Sequence, residues 1–177
     1  MRHIAAPIAM ALSVCCLAAP ATAHANTDTR QAAAGSVHKE PEVYCGKEER
    51  KLGKSGWTRS TNQPCIARQD DKIWVELGIS ACGFWDYWFW VPANKDYPCH
   101  IVKWDYTVYL NGQVQFSGRG TPGSHPGPKF RLPAEKKESN RGDGTYEVRF
   151  SFTQKGPRWT KDSEDLIVDR KAPVVVG

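Results

Sequence analysis

The chain's 177 residues, 40% hydrophobic and 24% charged, fit a globular protein of ordinary composition, with no apolar run long enough to span a membrane. The formal charge of +5 comes from 24 basic and 19 acidic residues that are interleaved, as in Lys47-Glu48-Glu49-Arg50-Lys51. Such mixing describes a solvated surface rather than a nucleic-acid-binding stripe, and the one local excess, five basic residues between Lys129 and Arg141, is diluted by Glu135 and Glu138.

Arg2 and His3, the apolar stretch Ile4 to Ala19 and the small-x-small triplet Ala23-His24-Ala25 together have the form of a secretory signal peptide cleaved after Ala25. Val14 lacks the small side chain that lipid attachment at Cys15 requires, so residues 1–25 are expected to leave as a simple leader, taking Cys15 and Cys16 with them. The remaining 152 residues suffice for one core. They keep Cys45, Cys65, Cys82 and Cys99, an even set suited to two disulfides in an oxidising compartment. Residues 26–43 are polar, alanine-rich and aperiodic, and are expected to be a mobile tail ahead of a single domain at 44–177.

Within that domain Lys47 to Leu52 has room for one helical turn, but no later segment sustains a helical period. Ile73, Val75, Leu77 and Ile79 alternate with less apolar positions, as do Val102, Trp104, Tyr106, Val108 and Leu110, and Tyr146, Val148, Phe150 and Phe152. These predict half-buried antiparallel strands. Asp70-Asp71 just precedes the first of them, where turn residues belong. Asn111-Gly112 marks a hairpin. A two-residue type I′ loop would set Leu110 against Gln113 and Val108 against Gln115; a three-residue loop with a type I turn and a G1 bulge at Gly112 pairs Val108 with Val114 and Tyr106 with Phe116. Hydrophobic matching favours the second. The stretch 118–143, rich in proline and glycine, either contacts a partner or covers a sheet edge.

Asn140-Arg141-Gly142-Asp143-Gly144-Thr145-Tyr146 resembles the approach to a late strand in immunoglobulin-like and fibronectin type III-like sandwiches, and Val168-Asp169-Arg170-Lys171-Ala172-Pro173 is similar to the last strand of bacterial extracellular domains of that kind. The resemblance implies an all-β, immunoglobulin-like antiparallel β-sandwich in which the Tyr146 hydroxyl bonds back to upstream backbone. The family's cysteine two residues after that tyrosine would fall at Val148, so its inter-sheet disulfide is expected to be absent, with the bridges fastening only residues 45–99. Three pairings are possible. Short loops favour Cys45 with Cys65 and Cys82 with Cys99, each contributing roughly 3 kcal/mol on the chain-entropy model.

Phe84-Trp85-Asp86-Tyr87-Trp88-Phe89-Trp90 holds six aromatics in seven residues. As one strand it would present Trp85, Tyr87 and Phe89 on one side and Phe84, Trp88 and Trp90 on the other. One side fits a core. The other needs a cover or a ligand, which makes Trp85, Tyr87, Trp88 and Trp90 the candidate ligand-binding residues; a central strand packed on both faces is the alternative. No catalytic motif is present, the histidines His38, His100 and His125 are isolated, and the pairs Asp70-Asp71 and Glu164-Asp165 suit solvated turns, so no catalytic residue, metal or cofactor is assigned. Arg141-Gly142-Asp143 matches an adhesion tripeptide but also suits the turn before Tyr146.

The expectation is a secreted, monomeric, non-enzymatic module that binds an extracellular protein or cell-envelope glycan. A protein inhibitor of an extracellular hydrolase and a small hydrolase without recognisable motif are the alternatives. Glycan binding requires an exposed Trp85, Trp88 or Trp90 coplanar with a second ring. A protein ligand requires a mixed apolar patch, and an enzyme requires two converging polar side chains from His100, His125, Asp86 and Asp105.

Overall fold

The computed structural model describes residues 39–156 and 165–177, all within one compact unit spanning Val37–Gly177. The expected leader at 1–25, residues 26–38 of the expected tail with His38, and Glu164 of the Glu164-Asp165 pair lie outside the described residues. Twelve strands build two antiparallel sheets, and no helix occurs among the described residues.

The first sheet is organised on the hairpin of β3 (Thr58–Gln69) and β4 (Lys72–Asp86), whose two-residue turn is Asp70-Asp71 with Asp70 at φ 53°. β1 (Glu42–Cys45) and β2 (Glu49–Leu52) share the free side of β3. The far side of β4 carries β5 (Phe89–Pro92), β9 (Phe130–Pro133) and β10 (Glu138–Ser139). The second sheet runs β12 (Asp165–Val176), β11 (Gly144–Lys155), β6 (Cys99–Leu110) and β7 (Gln113–Gly120), with β8 (Gly123–His125) also on β6. The chain crosses between sheets after β5, after β8 and again after β10, which is the connectivity of an immunoglobulin-like sandwich.

Alternation explains the core. Ile73, Val75, Leu77 and Ile79 face Trp104, Tyr106, Val108, Tyr146, Val148, Phe150 and Phe152, and all are buried. Tyr146 is fully buried and its hydroxyl donates to the Gly142 carbonyl at 2.7 Å, the expected backward bond. Asp143 pairs with Arg68, so the Arg141-Gly142-Asp143 turn is engaged in holding the fold.

Three expectations are corrected here. Residues 42–43 belong to β1 rather than to a tail, because Glu42 and Val43 find ladder partners in Arg68 and Ala67. Glu49–Leu52 is a strand, since β3 offers it a free edge that outweighs one isolated helical turn. The 111–112 hairpin is two-residue: Asn111 (φ 53°) and Gly112 (φ 76°) are both left-handed, giving the type I′ turn with Leu110 opposite Gln113. Matching of apolar residues is restored by a bulge further on, where Tyr109 pairs with Val114 and Val108 with Phe116; Gln115 is the extra residue, Val114 is left exposed, and Tyr106 meets Gly118 rather than Phe116. Of the two readings of the 118–143 stretch, the edge cover holds: β9 and β10 within it close the edge of β4. Both disulfides are the ones that short loops favour, and the bridge to position 148 is absent: Cys45–Cys65 joins register partners within the first sheet, and Cys82–Cys99 ties β4 to β6 across the sandwich.

Candidate functional site

The aromatic block is a hairpin, not one strand, and its geometry begins with a bulge in β4. Thr61 pairs with Ala81 and Asn62 with Ile79, leaving Ser80 extra and reversing the alternation beyond it. Cys82 and Phe84 therefore point into the core, and Trp85 lies on the outer face. The chain then turns back through Tyr87 and Trp88, so that Asp86 pairs with Phe89 and Trp85 with Trp90. The turn is tight: the Trp88 N–H donates to the Asp86 carbonyl, and Tyr87 adopts φ 51°, a left-handed backbone that a bulky residue adopts only at a cost of order 1–3 kcal/mol.

Three indoles stand at one level of the sheet. Trp57, just before β3, accepts from the Trp85 N–H through its carbonyl at 2.8 Å, and Trp85 meets Trp90 edge-on with ring centroids 5.6 Å apart. The Tyr87 ring leans against Trp57 at 5.0 Å. One turn of the ladder below, Arg59 lays its guanidinium over Trp90, 4.5 Å from the ring centroid. Gly83 makes room for this crossing, since a Cβ there would lie 3.4 Å from Arg59 Nε and 2.7 Å from the Val91 carbonyl oxygen. Burial holds the Arg59 pKa below its usual value, and the nearby Arg50 lowers it further.

At the tip the rings are open to solvent: Tyr87 is 66% exposed, Trp88 86% and Phe89 59%. Trp85 and Trp90 are half-buried beneath them. The four candidate ligand-binding residues thus lie on one hairpin, two at its tip and two at its base. A planar sugar platform is not formed, for Trp85 and Trp90 are inclined at 63° and Trp57 and Tyr87 at 74°.

His100, His125, Asp86 and Asp105 do not share one pocket among the described residues. His100 lines a concavity of about 230 Å³ with Asp96, Tyr97, Ser124 and Lys155, while Asp105 lines a separate groove with Arg149 and Asp169. Asp86 is on the hairpin, and His125 stacks flat on Phe130 at 3.9 Å, where burial lowers its pKa. The basic 129–141 region is partly committed to packing, with Lys137 over the Trp74 ring at 4.0 Å.

Sequence reasoning missed Trp57 and Arg59, which precede the aromatic block by more than twenty residues. Only the long-range β3–β4 register places them beside Trp85 and Trp90, and no local spacing marks it. Neither a scan against protein-family models nor searches of curated proteins and of solved structures returned a match.

Proposed function

We propose that this protein is a secreted, non-catalytic binding module that engages its ligand through the tip of the aromatic hairpin. The observation that carries the reading is the run Tyr87-Trp88-Phe89, three consecutive aromatic side chains exposed at 66%, 86% and 59% on a turn with a left-handed backbone. At about 150–250 Å² per ring these exposures amount to roughly 400 Å² of buriable apolar surface. Burying it is worth on the order of 10 kcal/mol before the costs of association. A fold that needed only stability would not hold these rings in water on a strained turn. Secretion is supported by the leader-like N-terminus and by the two disulfides. Kinship with immunoglobulin-like extracellular domains is supported by the Tyr146 corner and the strand order.

The test is retention. Wild-type protein and the triple variant Tyr87→Ser/Trp88→Ser/Phe89→Ser, matched for thermal midpoint, are immobilised and challenged with culture medium and with washed envelope material. The expected outcome is a component held by the wild type and lost from the variant. Equal retention by both sinks the proposal.

A further inference from the structure

Resting on that reading, we infer that the ligand of the hairpin is an anionic lipid surface, with the three tip rings entering the interfacial layer, Arg59 meeting headgroup phosphates and Arg50 behind it adding long-range attraction to the charged surface. Tryptophan and tyrosine are the side chains that favour the membrane–water boundary, since each presents an apolar ring and a polar atom. The arginines supply the second, independent observation. Arg68, Arg119, Arg149 and Arg170 each have a carboxylate partner. Arg50, Arg59, Arg131 and Arg141 have none among the described residues, and of these Arg59 and Arg50 lie close together on the outer face, Arg59 opposite Leu52 and Arg50 opposite Thr61. Two neighbouring guanidiniums without acids are an anion-binding arrangement.

Their depth fits a bilayer. Arg59 pairs with Gly83, four residues before Tyr87, which at about 3.3 Å per residue places its backbone about 13 Å behind the tip. Interfacial apolar groups enter by about 5–10 Å, and the polar zone outside the hydrocarbon is roughly 5–8 Å thick. Rings at the boundary therefore bring Arg59 to the headgroups. Leu52, exposed on the same face and level with Arg59, extends the apolar surface. Asp86 is the one acid of the hairpin and opposes docking, so an anionic surface attracts this face less than it would with asparagine there.

The experiment uses the full folded protein with vesicles of phosphatidylcholine alone and of phosphatidylcholine with about 30 mol % phosphatidylglycerol. Flotation and quenching of tryptophan fluorescence by lipids brominated on the acyl chain are the readouts. The wild type is expected to float with the anionic vesicles and be quenched, and to release as salt rises from about 50 mM to about 500 mM. Arg50→Gln is expected to weaken binding about fivefold, Asp86→Asn to strengthen it severalfold, and the triple tip variant to abolish it. Quenching of the wild type needs no variant and so does not depend on how any variant folds. Failure of the wild type to bind anionic vesicles, or full binding by the tip variant, overturns the inference. If vesicle binding fails while hairpin-dependent retention of a protein or glycan persists, the lipid assignment falls and the binding module stands. If both fail, both fall.

Discussion

Gly120 stands opposite Trp104 in the β6–β7 ladder, and a Cβ at that position would overlap the indole ring. Trp104 is buried at the centre of the sandwich and donates through its indole N–H to the Thr121 carbonyl at 3.2 Å, so the ring has no room to yield. Gly120→Ala is therefore an overpacking substitution, expected to destabilise by about 1–3 kcal/mol and to lower the thermal midpoint by several degrees; an unchanged midpoint would show that the ring moves freely. The opposite sign is expected at Thr58. Its side chain is fully buried and its hydroxyl has no hydrogen-bond partner, as is true of Ser60 Oγ, Asn62 Nδ2 and Gln154 Oε1 at the same end of the interior. Replacing a buried, unpartnered hydroxyl by a methyl removes a desolvation cost, so Thr58→Val should stabilise by about 1 kcal/mol in chemical denaturation. Destabilisation by Thr58→Val would mean that the hydroxyl is satisfied in solution.

At the scale of elements, the alternation of apolar residues made β4, β6 and β11 legible from sequence, and the Tyr146 corner followed from its turn. What alternation does not reveal is where its phase breaks. Ser80 in β4 and Val102 in β6 are each the extra residue of a bulge, the latter between the pairs Thr153–Lys103 and Gln154–Ile101. Val102, expected inside, is exposed as a result, and Ile101 is buried in its place. Both bulges are needed for Cys82 and Cys99 to face the interior and meet; with unbroken alternation both sulfurs would point outward. A bulge is set by the partner strands, so one sequence does not announce it; the reversal between Trp85 and Trp90 is hidden for another reason, since its left-handed turn residue is Tyr87 rather than a glycine or asparagine. The N-terminal strand makes a further prediction. Lys39, Arg68 and Tyr44 donate to Glu42, and these hydrogen bonds hold its carboxyl at about 2 rather than the usual 4.5. A lowered folded value means that the stabilisation is complete above about pH 4.5 and is lost as pH falls through about 2. The gap in thermal midpoint between wild type and Glu42→Gln should accordingly narrow from about pH 6 towards pH 2, and a gap that does not change with pH would rule out this role for Glu42.

Across the whole molecule the two disulfides separate a local constraint from a global one. Their sequence separations of 20 and 17 residues are nearly equal, so chain entropy assigns each roughly the same 3 kcal/mol. Their places in the sandwich differ. Cys45–Cys65 fastens a four-residue edge strand that Arg68 also holds through Glu42, and its loss releases little beyond β1. Cys82–Cys99 ties the sheets together at the end that carries the aromatic hairpin, three residues before Trp85, and the Cys82 carbonyl also accepts from Ala93 N–H at 3.0 Å to close the base of β5. Beside it lie Thr58, Ser60, Asn62 and Gln154, whose unpartnered polar atoms contribute little cohesion of their own. Without the bridge the two sheets are held at this end by apolar packing, that of Phe84 and Ile101 included. Local opening should then spread through the hairpin, since opening follows the least stabilised cooperative unit. Amide hydrogen exchange distinguishes the two cases: Cys82→Ala/Cys99→Ala is expected to accelerate exchange throughout 82–93, and Cys45→Ala/Cys65→Ala only near 42–45. The same profile from both variants would show that the inter-sheet bridge has no special hold on the hairpin. A hairpin that opens in the first variant alone would mean that whatever it binds is released when the protein enters a reducing environment.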